Sequence, residues 1–193
     1  MSKQSNEVSV EWCDAPEEAQ TLSALGRETF SQTFGHLYKP EDLNIFLRDS
    51  HAPEKYRMVL SDPAYGVWVA REANGAAIGY AVAGPCDLPA PDMPDSSGEL
   101  MRFYILKEFQ GAGLGQRMLN IVLGWLEENF DHSYLSVYAE NFGAQRLYER
   151  YGFEKVCKYS YMVGNHADPE YIMKRVRSAA GEDVERNPLR ACK

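Results

Sequence analysis

A mixed α+β fold follows from three features of this 193-residue sequence. Residues 67–71 and 77–82 are strand-like runs separated by a turn holding Asn74-Gly75, a strong short-range signal for an antiparallel hairpin. Residues 100–106, 113–130, 134–138 and 141–151 then alternate between strand-like and helix-like patterns, as strands joined through helices do. Antiparallel pairing first and helical connections later predict a mixed sheet of six or seven strands flanked by helices.

Residues 8–12 alternate apolar and polar side chains as a half-buried strand should. Asp14, Pro16 and the acids Glu17 and Glu18 then read as an N-cap and first turn, opening a helix to about Phe30 with Leu22, Leu25 and Phe30 on one side. Pro40 starts a second, shorter helix, and Pro53 starts a third in which Tyr56, Val59 and Leu60 fall at helical spacing. Between Gly84 and Gly98 four prolines and several acids predict a loop. In residues 113–130, Leu114, Met118, Ile121, Val122, Trp125 and Leu126 form a core-facing stripe. Two last strands are expected around residues 154–163 and 170–174. Residues 1–177 read as one domain and 178–193, polar with Gly181 and Pro188, as a tail.

Composition excludes several classes of function. Hydrophobic residues make up 45% and charged residues 25%, ordinary for a globular domain long enough to bury a core. A formal charge of −8 with no basic cluster argues against nucleic acid as the partner and suits a cationic substrate, although acidity also serves solubility. Cys13, Cys86, Cys157 and Cys192 are scattered, and no metal-ligand spacing joins them to a histidine. His36, His51, His132 and His166 stand apart and read as surface or capping residues. No run approaches 18 apolar residues and residues 1–6 lack an apolar signal core, so no membrane is expected and a reducing cytoplasm is the default.

Chemistry enters at Gln110-Gly111-Ala112-Gly113-Leu114-Gly115, where a strand-like run meets an amphipathic helix. Alternate glycines there leave backbone N–H groups free to face a phosphate, and the helix start adds its positive dipole end. A dinucleotide fingerprint would need glycine at Gln116 or Met118, and a Walker A loop would need Gly-Lys-Ser/Thr, where Gly115-Gln116-Arg117 stands. A plain tight turn into a helix remains open on the hexapeptide alone.

Downstream, Asn141, Ala144, Tyr148, Gly152 and Phe153 form the pattern Asn-x-x-Ala-x-x-x-Tyr-x-x-x-Gly-Phe. Together with Gln110-x-x-Gly113-x-Gly115, it resembles the two linked motifs of the GNAT (Gcn5-related N-acetyltransferase) superfamily, over about residues 8–176. Glu28-Thr29-Phe30, Thr33-Phe34, Ser160-Tyr161-Met162 and Tyr171-Ile172-Met173-Lys174 are similar to bacterial polyamine acetyltransferases of the PaiA type. The resemblance implies a sheet splayed between its fourth and fifth strands, with acetyl-coenzyme A in the opening. Backbone N–H groups of Gly111, Ala112, Gly113, Leu114, Gly115 and Gln116, with Gln110, would hold the pyrophosphate. Phe103, Tyr104, Ile105 and Lys107 would run beside the pantetheine arm. Arg117 is either a side-chain reinforcement or a solvated helix residue.

Direct acetyl transfer to an amine poses two proton problems. An amine of pKa near 10.4 is neutral about one time in 2,500 at pH 7, roughly 4.6 kcal/mol of deprotonation. A base is therefore needed, and Glu99, at the family position on the fourth strand, is the leading candidate against a solvated carboxylate; the alternative family position on the fifth strand holds Ser136. The departing thiolate needs an acid, and Tyr148 matches that position, against a reading as a core aromatic. Asn141 caps the helix, hydrogen-bonds the cofactor arm, or both. The implied activity is N-acetyl transfer to a small amine, polyamines favoured. A protein N-terminus or lysine acceptor, a non-catalytic acyl-coenzyme A sensor, and both monomer and homodimer stay open.

Overall fold

The structure, a computed structural model, describes residues 8–177. Residues 178–193, read as a tail, and Cys192 lie outside the described residues. The elements are β1 (Ser9–Trp12), α1 (Ala19–Phe34), α2 (Pro40–Ser50), α3 (Pro53–Ser61), β2 (Gly66–Arg71), β3 (Ala77–Pro85) and β4 (Ser97–Ile105). They continue with α4 (Leu114–Asn129), β5 (His132–Tyr138), α5 (Phe142–Arg150), β6 (Glu154–Val163) and β7 (His166–Val176). Seven strands form one sheet in the order β1-β2-β3-β4-β5-β7-β6.

Neighbouring strands are antiparallel except β4 and β5, which run parallel because α4 carries the chain back across the sheet. That parallel pair is short: Ser97 faces His132, Gly98 faces Ser133 and Glu99 faces Tyr134. Beyond Glu99 the ladder between them ends although β4 continues to Ile105 and β5 to Tyr138. The sheet is thus splayed at β4/β5, and the backbone edges left unpaired there border an open wedge.

Leu119, Val122 and Leu126 of α4, fully buried, pack against β2, β3 and β4, while α1 and α3 cover the other face. Each such side chain contributes roughly 1.5–3 kcal/mol by leaving water. The stripe on α4 differs from expectation at Ile121, which is 39% exposed; Leu119 and Leu123 take the core positions, rotating the buried face by a fraction of a turn. Prolines occupy the first turns of α2 and α3 as expected. Asp14 caps nothing: a single 3₁₀ turn, Pro16–Glu18, with Ala15 before it, leads into α1, which extends to Phe34 rather than Phe30. β7 starts at His166, four residues before the expected strand, because pairing with β6 continues through Asp168 and Pro169 to the Gly164 turn.

Candidate active site

A cleft of about 910 Å³ occupies the splay and the space between it, α1, α2 and the β6–β7 hairpin. Of the residues singled out from sequence, Glu99, Phe103, Tyr104, Ile105, Gln110, Gly111, Gly115, Asn141 and Tyr148 line it. Lys107, Ala112, Gly113, Leu114 and Gln116 do not. Lys107 stands in a 3₁₀ turn, Lys107–Phe109, where its backbone N–H donates to Gln32 Oε1 at 3.0 Å, and Leu114 is buried in the core. Ala112, Gly113 and Gln116 belong to the loop and first turn of α4 and contribute backbone.

That backbone is shaped for an anion. Gly111 and Gly113 have φ of 85° and 83°, a left-handed conformation in which any side chain is strained. The helix's first closing bond runs from Arg117 N–H to Gly113 O at 3.1 Å, so the N–H groups ahead of it have no intrahelical partner. Gln110 Nε2 donates to Ile105 O at 2.9 Å and fixes the loop onto the end of β4. Arg117 is exposed, and its guanidinium donates to the carbonyl of Val8.

On α5, Asn141 caps the helix by accepting from Ala144 N–H at 3.2 Å. One turn on, Gln145 Nε2 donates to Tyr138 O at 3.1 Å and Ala139 O at 3.0 Å, locking α5 to the end of β5. Tyr148 is thereby held in the cleft wall, its ring edge-on to Phe153. Burial pushes its phenol well above the usual tyrosine range, so it stays protonated.

Glu99 is not a solvated loop-edge carboxylate. It is 8% exposed, and burial pushes its pKa up to about 7; the charges of Asp87 and Glu170 add to the rise, and a 3.3 Å hydrogen bond from the Asp87 N–H opposes it. A register shift in β4 decides its direction. Arg102 pairs with Val82 and Leu100 with Ala83, leaving Met101 as the extra residue of a bulge. Glu99 then faces Gly84, and the alternation places Glu99, Arg102 and Tyr104 on one face of the sheet. Without the bulge, Glu99 would face the side opposite Arg102 and Tyr104.

Sequence reasoning missed the rest of this wall. Asp168 and Glu170 of β7 line the cleft, Asp168 accepting from Tyr38 and paired at 3.2 Å with His166. Tyr159 donates to Glu170 at 3.0 Å. Burial raises the pKa of Glu170 while hydrogen bonds from Ser136 and Tyr159 lower it, so β7 supplies a carboxylate beside Ser136. Tyr159 and Tyr161 alternate inward on β6, and that Tyr-x-Tyr spacing was the available signal. His51, expected as a surface or capping residue, stands at the C-cap of α2, but it is 1% exposed and lines the cleft. Counted over the lining, four carboxylates (Asp87, Glu99, Asp168, Glu170) face two guanidiniums (Arg102, Arg150).

Known proteins share this fold and sequence pattern. The sequence profile of the GNAT acetyltransferase family matches residues 27–153. An uncharacterized N-acetyltransferase of Lactobacillus delbrueckii subsp. lactis is 25% identical over 172 residues, 87% of this chain and 95% of that protein. A spermine/spermidine N(1)-acetyltransferase of Bacillus subtilis is 37% identical over 85 residues, 42% of this chain and 55% of that protein. Among solved structures, the PaiA N-acetyltransferase of Thermoplasma acidophilum in complex with coenzyme A superposes with a TM-score of 0.68 at 18% identity, covering 88% of this chain and 99% of that one.

Proposed function

The chain belongs to the GNAT acetyltransferase family, and from that premise we propose that it acetylates a small cationic amine, a polyamine-like chain being favoured. The carrying observation is the pairing of a free, glycine-shaped N–H cradle on one side of the splay with a tyrosine-rich, net acidic wall on the other. The cradle fits the pyrophosphate of acetyl-coenzyme A, and the unpaired edge of β4 offers its amides to the pantetheine arm. Gln110, Gly111, Gly113, Gly115 and Asn141 would shape the donor side. Acetyl-coenzyme A supplies the acetyl thioester; the chain itself binds, orients and moves protons.

Glu99 is the proton acceptor in this reading. A carboxylate with pKa about 7 is ionised in half the molecules at neutral pH and is far better matched to an ammonium than an ordinary glutamate. Tyr148 holds a proton at Oη for the departing sulfur, and its raised pKa keeps that proton in place until charge develops. Asp168, Glu170, Tyr38 and Tyr159 would receive the remaining positive charge of the acceptor, with aromatic faces adding cation–π attraction. The partial likeness to the spermine/spermidine enzyme supports a polyamine.

Free-thiol release measured with spermidine, spermine, monoamines and a basic peptide tests the reading. Small cationic amines turning over with a higher kcat/KM than the peptide would support it, and polyamines leading the monoamines would support a polycationic chain. Turnover of the peptide alone would move the acceptor to protein, and coenzyme A binding without turnover of any amine would leave a sensor.

A further inference from the structure

The wall formed by β4 and the α2–α3 connection carries a charge that the mechanism above does not use. Arg102 lines the cleft half-buried, and among the described residues no carboxylate lies within ion-pair distance of it. Its partners are all neutral: Nη2 donates to Ser50 O at 2.6 Å, and Nη1 to Tyr56 Oη at 3.2 Å and to His51 Nδ1 at 3.0 Å. The Tyr56 ring lies 5.1 Å from the guanidinium carbon, a cation–π contact that stabilises the charge but does not neutralise it. A guanidinium has five N–H donors, and these bonds use three.

His51 adds a second unmet donor. Arg102 can only donate, so Nδ1 must be the bare nitrogen and the proton of this neutral ring sits on Nε2. Nε2 is buried with no hydrogen-bond partner, a deficit that a ligand's acceptor would relieve. Burial and the charges of Arg102 and Arg27 hold the ring's pKa down to about 3, so it does not become a cation. The arrangement is built into the fold: a Cβ at Gly26 of α1 would stand 2.4 Å from His51 Nδ1 and 2.2 Å from Tyr56 Oη, so only glycine lets α1 approach this cluster. Tyr56 Oη meets Tyr80 Oη at 2.8 Å and closes it from below.

A half-buried cation without an anion, beside a buried donor without an acceptor, in the wall of a substrate cleft is a site lacking its complement. We propose that Arg102 and His51 form a carboxylate-binding subsite, and that the acceptor is a cationic amine bearing a carboxylate, of the diamino-acid class. The inference rests on the cleft being an amine-acceptor site and narrows which amine it takes. Asp168 and Glu170 suit the cationic chain that polyamines and basic amino acids share; Arg102 separates the two. The β4 bulge puts Glu99 and Arg102 on one face three residues apart, roughly 7–10 Å along the strand, a span suited to a five- or six-carbon diamino acid between its side-chain amine and its carboxylate.

Lysine against cadaverine, and ornithine against putrescine, differ by one carboxylate and read the subsite in the unaltered protein. The kcat/KM of lysine is expected to exceed that of cadaverine about tenfold or more, with the difference in KM. Arg102→Gln should bring that ratio to about one, and Arg102→Lys should restore part of it. Cadaverine matching or exceeding lysine overturns the subsite while leaving amine acetylation standing. Should no amine turn over, the activity reading fails and calorimetry with 5-aminopentanoate and cadaverine still decides the subsite: carboxylate-dependent binding supports it, equal or absent binding overturns it. A misfolded Arg102→Gln protein changes nothing in the unaltered protein's comparison.

Discussion

The two sides of the splay are built by different means. The side read as donor-binding is made of backbone from one continuous stretch, the end of β4, the glycine loop and the first turn of α4, with Asn141 and Tyr148 added by the next helix. The opposite side is made of side chains from α1, α2, β4, β6 and β7, brought together across more than a hundred residues of sequence, as the Tyr38–Asp168 bond shows. On the proposed reading, a backbone cradle would recognise the cofactor that the family shares. A side-chain wall would set what each takes, and here it carries acids and, in Arg102, a guanidinium with no carboxylate at ion-pair distance among the described residues.

Substitutions on the two sides should therefore separate cleanly. The largest effect is expected from Glu99→Gln: kcat should fall about 10²–10⁴-fold, and the rise of kcat/KM through pH 7 should vanish from the pH profile. The same change should stabilise the protein. The folded pKa lies above the ordinary 4.5, so the penalty of ionising Glu99 is absent below pH 4.5, grows between 4.5 and 7, and is complete above 7. Removing it should raise stability at pH 8 by an amount on the order of 3 kcal/mol, and leave it unchanged at pH 4. An unaltered pH profile would remove Glu99 from the base role.

Tyr148→Phe comes next, with kcat lowered about 10²-fold and the Kd of acetyl-coenzyme A within twofold of the parent. A Kd that rises as far as kcat falls would make Tyr148 a packing residue instead. On the donor side proper, Gly113→Val places a branched side chain at φ 83°, where non-glycine residues cost about 1–2 kcal/mol. About a tenfold weaker Kd for acetyl-coenzyme A is expected, with amine KM unmoved; calorimetry checks it, and an equal loss of amine binding would break the division between the two sides.

How much was legible in sequence follows the same line. Gly111, Gly113, Asn141 and Tyr148 lie at fixed local offsets, so the turn and the cap could be read from residue type and the rest from the family resemblance that those offsets carry. The helix–strand order was equally local, and the α+β fold follows from it. Glu99 was singled out, but its direction depends on the bulge at Met101, which exists only through pairing with β3. His51 was set aside because one histidine after a helix carries no local signal; its burial is created by Phe30, Phe46 and Tyr104 from three other elements. Asp168 and Pro169 fall before the expected strand, which began at Glu170, and only pairing with β6 extends β7 over them and brings both acids into the sheet.

The smallest expected effect tests the acidic wall itself. Asp168→Asn keeps the shape and an acceptor for Tyr38 while removing one charge, so the fold has little reason to change. For a cation held a few ångströms away at an effective dielectric between protein and water, the loss of one such charge is worth about 1 kcal/mol, or a few-fold. KM for spermidine should therefore rise about three- to tenfold with kcat little altered, and the difference should shrink in 0.5 M salt as the charges are screened. An uncharged amine analogue, carrying no second ammonium for Asp168 to attract, should show no change in KM. If it shifted as far as spermidine does, Asp168 would act by holding Tyr38 and the β6–β7 hairpin in place, and the acidic wall would belong to the architecture rather than to recognition of a cationic chain.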